Sequence, residues 1–253
     1  MRLQGATAVV TGGGQGIGAA VARALAAAGA AVVLAGRTAE KIEAVAGELR
    51  AAGHQASAVP CDVTDPESVR ALARSASGHL AHVDILVNSA GVAHSAPLHQ
   101  LTLEDWNRVF VVNVTGTFLC TQAFLAGMLG RKWGRVINVA SVAGLTGAKY
   151  IAAYSASKHA VIGFTRCVAA EVAGTGVTVN AVCPGYVDTG VTRESVQRIM
   201  EKTGKSREQA LEAMLHTTSQ RRLITPEEVA QAVLSLCDQQ AEQTNGQAIV
   251  IHD

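Results

Sequence analysis

The chain has 253 residues, and its 21 Lys and Arg against 20 Asp and Glu leave a formal net charge of +1. A composition of 49% hydrophobic and 16% charged residues is that of a globular protein rather than a disordered one. The near-neutral charge argues against nucleic-acid phosphates and anionic membrane surfaces as partners. The length by itself is compatible with one large α/β domain or with two small ones.

The five cysteines are scattered along the chain, a spacing that fits neither a disulfide framework nor a C-x-x-C metal or redox site. We interpret them as buried apolar residues of a protein in a reducing cytosol, and we predict no metal site. The N-terminus lacks the basic and apolar segments of a signal peptide. We find no uncharged apolar stretch of about 18 residues that would form a transmembrane helix. The sequence therefore predicts a cytoplasmic protein.

Strand-like and helix-like segments alternate from one end of the chain to the other. In chain order the predicted strands are 7–11, 31–35, 56–60, 83–87, 134–140, 177–182 and 247–251. The predicted helices between them are 16–28, 38–52, 66–80, 103–129 and 152–173. The strands are continuous apolar runs, which is typical of parallel strands covered on both faces. We therefore predict an α/β protein with a single Rossmann domain over residues 1–253, a doubly wound seven-stranded parallel sheet with helices on both faces.

One polar segment, at about residues 188–224, interrupts this alternation with two helical patches, 195–202 and 207–216. It lies between the sixth and seventh predicted strands, so it would sit at the carboxyl edge of the sheet, where α/β proteins bind ligands. We predict a substrate-binding flap here. A surface helical excursion without a function is the alternative interpretation.

Glycines follow the first predicted strand in the run from Thr11 to Gly18. The pattern G-x-x-x-G-x-G falls on Gly12, Gly16 and Gly18, and it lets the backbone approach a ligand closely at the start of a helix. The N–H groups and partial positive charge of that helix N-terminus attract a pyrophosphate. The loop therefore predicts dinucleotide binding. A nucleoside-triphosphate loop is disfavoured because no Lys-Ser or Lys-Thr pair follows the glycines.

The end of the second predicted strand indicates which dinucleotide binds. The strand ends in Ala35-Gly36-Arg37-Thr38, without the acidic residue that would accept a hydrogen bond from the adenine-ribose 2′-OH. Arg37 can instead pair bidentately with a 2′-phosphate, so we favour NADP(H) over NAD(H). If Arg37 merely began a helix, the helix dipole would disfavour its charge. The missing acid also weighs against a methyltransferase that uses adenosylmethionine.

Tyr154 and Lys158 lie four residues apart at the start of the helix predicted at 152–173, so both project from one face. A cation near a phenol stabilises the phenolate and lowers its pKa, which prepares the phenol for proton exchange with an alcohol or a ketone. Ser141 ends the fifth predicted strand, where its hydroxyl can polarise a substrate carbonyl beside Tyr154. Together the three side chains predict a site for carbonyl or alcohol chemistry.

Asn113 stands in the apolar sequence Val112-Asn113-Val114, inside the helix predicted at 103–129. A buried amide must find partners, which a local 3₁₀ or π distortion or an ordered water would supply. We interpret Asn113 as part of a water-mediated proton relay rather than as a core amide.

In this order and spacing, the motifs resemble those of the classical short-chain dehydrogenase/reductase family over essentially the whole chain. The matching pieces are the T-G-x-x-x-G-x-G loop, Asp62, the N-x-A-G turn at 88–91, Asn113, Ser141, the Y-x-x-x-K pair, and Pro184-Gly185 with Thr189. Two features depart from the family pattern. Ser89 replaces the usual second Asn of the turn, a conservative change. The chain also ends at Asp253, soon after the last predicted strand, where members of the family usually continue in a short tail. We therefore do not expect the contacts that such a tail makes to a neighbouring subunit.

The resemblance implies that Asn113, Ser141, Tyr154 and Lys158 form the catalytic set. Tyr154 would be the general acid/base, and Asn113 would hold the relay water. Lys158 would bind the nicotinamide ribose as well as lower the pKa of Tyr154.

The resemblance also implies a set of cofactor contacts. Asp62 would hydrogen-bond the adenine amino group, and Asn88 would help to position the cofactor and the sheet. The full set expected at the cofactor is Gly12, Gln15, Gly16, Ile17, Gly18, Arg37, Thr38, Asp62, Val63, Asn88, Ala90, Gly91, Tyr154, Lys158, Pro184, Gly185, Val187 and Thr189.

Four further side chains, His94, Val142, Tyr150 and Tyr186, are our candidates for substrate contact. The stretches 154–164 and 180–185 most resemble ketoreductases of fatty-acid and polyketide type, closely followed by 3-hydroxybutyrate and 3-hydroxyacyl-CoA dehydrogenases. We therefore expect an NADP(H)-dependent oxidoreductase that reversibly reduces a ketone, with a 3-oxoacyl thioester as a candidate substrate, to a secondary alcohol.

Two other hypotheses stay open. The first is an NAD-linked 3-hydroxyacyl or secondary-alcohol dehydrogenase, against which Arg37 argues. The second is a non-catalytic dinucleotide sensor, which would have no chemical need for the complete catalytic set. The expected partner is a small carbonyl or alcohol substrate, with no nucleic acid and no membrane. The helices 103–129 and 152–173 are apolar on more than one face, and the resemblance implies that they build a homotetramer.

Overall fold

The computed structural model of the protein describes residues 3–218 and 220–252. Residues 1 and 2 of the predicted domain, residue 219 of the predicted flap, and Asp253 at the chain end lie outside the described residues. The strands are β1 (Thr7–Thr11), β2 (Ala31–Gly36), β3 (Ala56–Pro60), β4 (Ile85–Asn88), β5 (Gly134–Val139), β6 (Val177–Pro184) and β7 (Ala248–Ile251). They form one parallel sheet in the order β3-β2-β1-β4-β5-β6-β7, which confirms the predicted Rossmann fold.

Helices connect the strands and cover the sheet. They are α1 (Gly16–Ala27), α2 (Ala39–Ala51), α3 (Pro66–His79), α4 (Leu103–Phe110), α5 (Gly116–Arg131), α6 (Ala152–Glu171), α7 (Gly190–Thr203), α8 (Arg207–His216) and α9 (Pro226–Cys237). A π-helical stretch, Val111–Thr115, joins α4 to α5 without a break. Short 3₁₀ turns occur at Leu98–Gln100, Val142–Gly144 and Gln239–Gln243.

The strand order reverses beside β1, which pairs with both β2 and β4. Thr11, the last residue of β1, lies opposite Ala35 of β2 on one side and Asn88 of β4 on the other. At such a reversal the loops after neighbouring strands lead to opposite faces of the sheet, which opens a crevice at the carboxyl edge. The fold thus creates its ligand-binding position directly after the glycine loop.

Apolar residues cover both faces of the sheet, because neighbouring residues of a strand point to opposite sides. In β1, Val10 packs with residues of α1, α2 and α9, whereas Val9 packs with residues of α3, α5 and α6. Both side chains are fully buried. Continuous apolar runs therefore mark parallel strands covered on both faces, as predicted.

Several helices begin at local signals in the sequence. α3 follows Asp65, whose side chain accepts a hydrogen bond from a backbone N–H of the first turn (2.9 Å), and it has Pro66 at its first position. α9 follows Thr225, which forms a capping box with Glu228, and it too begins with a proline, Pro226. Our sequence prediction missed α9, although these start signals are present in the sequence.

Two predicted segments differ in detail from the structure. The single helix predicted at 103–129 is α4, the π-helical stretch and α5 in succession. The predicted flap contains α7, which is longer than the predicted patch, and α8, which has the predicted bounds. The other predicted boundaries differ from the observed ones by at most two residues.

The helical segment from Leu103 to Arg131 is long and apolar enough to cross a membrane by length and composition. The core helix of a globular protein passes the same test, and here Cys120, Phe124 and Met128 pack in the core beneath the sheet. One such helix is weak evidence for a membrane span. Our expectations of no transmembrane helix and of a cytoplasmic location stay predictions.

Candidate active site

A cleft of about 1430 Å³ opens at the carboxyl edge of the sheet. The loops after β1 to β6 and helix α7 of the flap form its walls. The predicted site residues that line it are Gly12, Gln15, Gly16, Ile17, Gly18, Arg37, Thr38, Asp62, Val63, Ala90, Gly91, His94, Ser141, Val142, Tyr150, Tyr154, Lys158, Pro184, Gly185, Tyr186, Val187 and Thr189. The other two, Asn88 and Asn113, are buried behind the walls. The fold therefore gathers positions from the whole chain at one place.

In the loop between β1 and α1, the backbone at Gly18 packs closely against the backbone at Gly12. A Cβ atom at Gly18 would lie 2.2 Å from the carbonyl oxygen of Gly12, so a larger residue does not fit there. Gln15 precedes α1, but its side chain makes no capping hydrogen bond. Its Oε1 instead accepts a hydrogen bond from Lys41 Nζ (2.8 Å). The first N–H groups of α1 remain available to an anion, and the helix dipole adds positive charge.

Two cations, Arg37 and Lys41, stand beside this loop at one end of the cleft. Burial alone would raise the pKa of the nearby Asp62. Hydrogen bonds from the backbone N and Oγ1 of Thr64 (2.9 and 2.8 Å), helped by the charge of Arg37, outweigh burial and lower this pKa. Sequence reasoning missed Lys41, although its position four residues after Arg37 could have indicated it.

Ser141, Tyr154 and Lys158 meet where β5 and β6 end. The Ser141 hydroxyl donates to the carbonyl oxygen of Pro184 (3.3 Å) and accepts from the backbone N of Ala143 (3.1 Å). Burial raises the pKa of the Tyr154 phenol, and a hydrogen bond with Ser141 opposes this shift. The serine and the tyrosine are therefore placed to share a small polar ligand.

Lys158 is buried below the tyrosine ring. Its Nζ donates to the carbonyl oxygen of Val139 (2.7 Å) and lies 5.7 Å from the ring centroid of Tyr154. Burial lowers the pKa of Lys158 to about 8, with the neighbouring Cys183 acting in the opposite direction. At neutral pH a cation is thus present on the same side of α6 as the phenol.

The burial of Lys158 makes the stability of the chain depend on pH. Its pKa is about 8 when folded against 10.5 for the free side chain, so between these values the unfolded chain binds more protons and stability rises with pH. We expect the unfolding free energy of the wild type, relative to a Lys158→Met variant, to increase over this interval by at most about 3 kcal/mol. Urea titrations of both proteins at several pH values measure the difference, and a difference independent of pH would contradict the prediction.

Asn113 lies in the π-helical stretch, as its need for partners predicts. Its Oδ1 accepts from the backbone N of Val92 (2.8 Å), and its Nδ2 donates to the carbonyl oxygen of Val92 and to Ser157 Oγ (both 3.0 Å). Its own carbonyl oxygen accepts from Thr117 Oγ1 (2.8 Å). The amide thus connects α6 to the loop after β4. Sequence reasoning missed its contact with Ser157. The relay water stays a prediction.

Asn88 belongs to a row of buried polar side chains beneath the cleft. Its Nδ2 donates to Thr121 Oγ1 (3.1 Å) and to Asn138 Oδ1 (2.9 Å), and Asn138 Nδ2 donates to Thr165 Oγ1 (2.9 Å). These bonds join β4 and β5 to α5 and α6. Buried polar groups with several partners hold neighbouring elements in one arrangement, so Asn88 is placed to support the cleft from behind.

The four substrate candidates lie on two sides of the cleft. On one side His94 Nδ1 is 3.5 Å from Asp105 Oδ1 and 3.3 Å from Arg108 Nη2, so the imidazole is held by charged neighbours. On the flap side the Tyr186 hydroxyl is 3.3 Å from Thr217 Oγ1. The structure therefore brings polar side chains to the cleft from both the loop after β4 and the flap. The remaining candidates, Val142 and Tyr150, also line the cleft.

Tyr150 has a left-handed backbone conformation, with φ at 70°, which is an outlier for a bulky residue. Its carbonyl oxygen accepts from the backbone N of Ala96 (2.8 Å), and its side chain is largely exposed at the mouth of the cleft. We expect a Tyr150→Gly variant to be more stable than a Tyr150→Ala variant by about 1 kcal/mol, because glycine relieves the strain. Both variants lack the ring, so urea unfolding isolates the backbone effect. Equal stability of the two would contradict it.

Comparisons with known proteins agree with this geometry. The sequence pattern of the short chain dehydrogenase family matches residues 6–199. The 3-oxoacyl-[acyl-carrier-protein] reductase FabG of Aquifex aeolicus is 37% identical over 100% of this chain and 98% of its own length. D-beta-hydroxybutyrate dehydrogenase of Rhizobium meliloti is 38% identical over 95% of this chain and 94% of its own length. A solved structure of an actinorhodin polyketide ketoreductase variant with NADPH superposes with a TM-score of 0.93 at 36% identity, covering 98% of this chain and 95% of that one.

The chain therefore belongs to the short-chain dehydrogenase/reductase family, and it is an oxidoreductase of that family. This confirms the resemblance that the sequence motifs indicate.

Proposed function

We propose that this protein is an NADP(H)-dependent carbonyl reductase that interconverts a ketone and a secondary alcohol. The observation that carries the proposal is that one cleft contains both the glycine loop and the group formed by Ser141, Tyr154 and Lys158. The glycine loop would bind the pyrophosphate of a dinucleotide, and the second group would transfer a proton next to the bound dinucleotide.

The residues at the glycine-loop end fit NADP(H). The N-terminus of α1 would hold the pyrophosphate, and Asp62 would meet the adenine amino group. Arg37, with Lys41 beside it, would pair with the 2′-phosphate, which no acid at the end of β2 repels. The NADPH in the ketoreductase structure cited above supports this choice. When bound, the nicotinamide ring supplies the hydride that the carbonyl carbon takes up.

The side chains of this protein would handle the proton and the carbonyl oxygen. Tyr154 gives its phenolic proton to that oxygen during reduction and removes it during oxidation. Ser141 would turn its hydroxyl away from the carbonyl oxygen of Pro184, 3.3 Å away, and donate a hydrogen bond to the same substrate oxygen, where negative charge develops. The ammonium group of Lys158, 5.7 Å from the ring centroid of Tyr154, would favour the phenolate over the neutral phenol, against the rise in pKa caused by burial. Asn113 holds a water through which the proton of Tyr154 is replaced.

The proposed substrate is a ketone, with 3-oxoacyl thioesters as the first candidates, because relatives carry the names 3-oxoacyl-[acyl-carrier-protein] reductase and polyketide ketoacyl reductase. A panel of 3-oxoacyl thioesters, diketones and cyclic ketones, followed by the loss of NADPH absorbance, tests the proposal. We expect turnover with at least one thioester. A panel in which no member oxidises NADPH would contradict the proposed function.

The NAD-linked alternative is favoured by one observation, the similarity to D-beta-hydroxybutyrate dehydrogenase. Repeating the assays with NADH, and with secondary alcohols and NAD⁺, decides between the two. Preference for NADH would support the alternative and would remove the argument from Arg37.

We further propose that the chain forms a homotetramer through α4, α5 and α6. Leu103, Val111 and Phe118 expose large apolar side chains along α4, the π-helical stretch and α5, and Phe118 packs edge-on against Phe164 of α6 (ring centroids 6.4 Å). An exposed apolar face of this kind is typical of an interface. Light scattering is expected to give four times the chain mass of 26.1 kDa, and a Phe118→Glu variant a smaller assembly. A monomeric wild type would contradict the proposal.

A further inference from the structure

Gln220, at the end of the flap, hydrogen-bonds through its side chain to the loop that follows β6. Its Oε1 accepts from the backbone N of Tyr186 and from Thr218 Oγ1 (both 2.7 Å). Its Nε2 donates to the carbonyl oxygens of Tyr186 and Arg222 (both 3.2 Å). The partners present two donors to the oxygen and two acceptors to the nitrogen, so one orientation of the amide satisfies all of them.

The loop approaches this amide more closely than an ordinary residue would allow. A Cβ atom at Gly185 would lie 2.2 Å from Gln220 Oε1. Next to it, the backbone N of Ile224 donates to the carbonyl oxygen of Tyr186, and the backbone N of Asp188 donates to that of Ile224 (both 2.9 Å). The base of the flap and the loop after β6 are therefore joined over residues 184–188 by side chain and backbone together.

The same loop is tied to the candidate catalytic group at its other end, because Ser141 Oγ donates to the carbonyl oxygen of Pro184 (3.3 Å). Pro184, Gly185, Tyr186 and Val187 line the cleft, whereas Gln220 does not. Gln220 can therefore influence a ligand only through the neighbours that it holds, which are the loop after β6 and Thr218, a further residue of the cleft wall.

We infer that Gln220 is a positioning residue, whose amide holds loop 184–188 in the shape that receives the nicotinamide end of the cofactor. The inference rests on the proposed function, which assigns this loop to the nicotinamide side of the cleft. The contact of Gln220 with Gly185 also connects the flap to the wall of the cleft, because Gln220 belongs to the flap and Gly185 lines the cleft. A small displacement of a group that positions a reactant is costly for the reaction, since it changes the alignment of the reacting atoms.

The test compares a complete cofactor with a fragment that fills the adenosine end alone. Gln220→Ala and Gln220→Glu variants are titrated calorimetrically with NADPH and with 2′,5′-ADP. We expect the Kd for NADPH to rise about tenfold and kcat to fall, because loop 184–188 loses its anchor. The Kd for 2′,5′-ADP should stay within a factor of about two of the wild type, because Arg37 and Lys41 lie at the other end of the cleft.

The Glu variant preserves the size of the side chain but places a charged oxygen against two carbonyl oxygens. The uncharged Ala variant shows whether an effect comes from the lost hydrogen bonds or from the added charge. Gln197→Ala is the matched control, since Gln197 is an exposed flap residue that bonds Glu201 (2.9 Å), and it should change neither affinity. A Gln220→Glu variant with wild-type NADPH affinity would overturn the inference. So would an equal loss of both affinities, which indicates a merely structural role.

Failure of the proposed function gives a different result. A wild type that binds neither NADPH nor 2′,5′-ADP would contradict the cofactor assignment itself, and the inference with it. A wild type that binds both, together with unaffected Gln220 variants, would contradict the inference alone. Circular dichroism and thermal unfolding of each variant accompany the titrations, so that a folding defect is detected directly.

Discussion

A Tyr154→Phe variant is expected to lose about 10²- to 10⁴-fold in kcat, the usual contribution of a general acid, while it binds NADPH as tightly as the wild type. The substitution removes the hydroxyl that would exchange the proton with the substrate. It keeps the ring, whose centroid lies 5.7 Å from Lys158 Nζ, so the packing around the ammonium group should persist. Steady-state kinetics with the best ketone of the panel and calorimetric NADPH titrations measure the two quantities.

Tyr150→Phe is the control for this prediction. It makes the same chemical change in the same cleft, but at a residue that is 60% exposed at the mouth. Among the residues that the structure describes, no lysine lies over the Tyr150 ring as Lys158 lies over that of Tyr154. We expect its kcat to stay close to that of the wild type, with any effect confined to KM. Undiminished turnover in the Tyr154→Phe variant would overturn the proposed mechanism. Loss of NADPH binding there would show that the hydroxyl supports the cofactor instead of the proton transfer.

Replacing Arg37 by Asp is expected to raise the Kd for NADPH by about 100-fold, because a charge-assisted bidentate pair with the 2′-phosphate is exchanged for repulsion. The affinity for NADH should rise or stay unchanged, since a carboxylate at this position can accept a hydrogen bond from the ribose 2′-OH. Lys41 remains in the variant, so a further Lys41→Ala change should weaken NADPH binding again. Titrations of each variant with both cofactors measure the change in preference.

Arg74→Asp provides the matched control, because Arg74 is an exposed arginine of α3 that does not line the cleft. It changes the net charge by the same amount and should leave both affinities unchanged, which separates a local contact from the overall field of the protein. Equal NADPH affinity in the wild type and the Arg37→Asp variant would remove the argument for NADP(H).

Much of the fold can be predicted from the sequence because the signals for it are local. Apolar runs such as 7–11 and 56–60 mark strands, and their observed bounds are the predicted ones. The central strand 7–11 is buried throughout, whereas 56–60, at the edge of the sheet, is partly exposed. A capping residue such as Asp65 acts on the backbone of its own first turn. The segment that was missed, α9, follows the flap, where the strand–helix alternation no longer guides the assignment.

By itself the sequence determined the family, the class of fold, the glycine loop and the pairing of Tyr154 with Lys158. The glycine loop and the Tyr154–Lys158 pair depend on spacing within a few residues, which becomes a turn or a shared face once a helix forms. The family and the class of fold depend on the order of such local signals along the whole chain.

Only the tertiary structure decided which distant side chains meet. Gln220 contacts Tyr186, and Asn113 contacts Ser157, across 34 and 44 residues of chain. Contacts of this kind depend on the packing of whole elements and on side-chain conformation, and no periodicity within the sequence records them. For the same reason the glutamine that joins the flap to the loop after β6 became apparent only from the assembled fold.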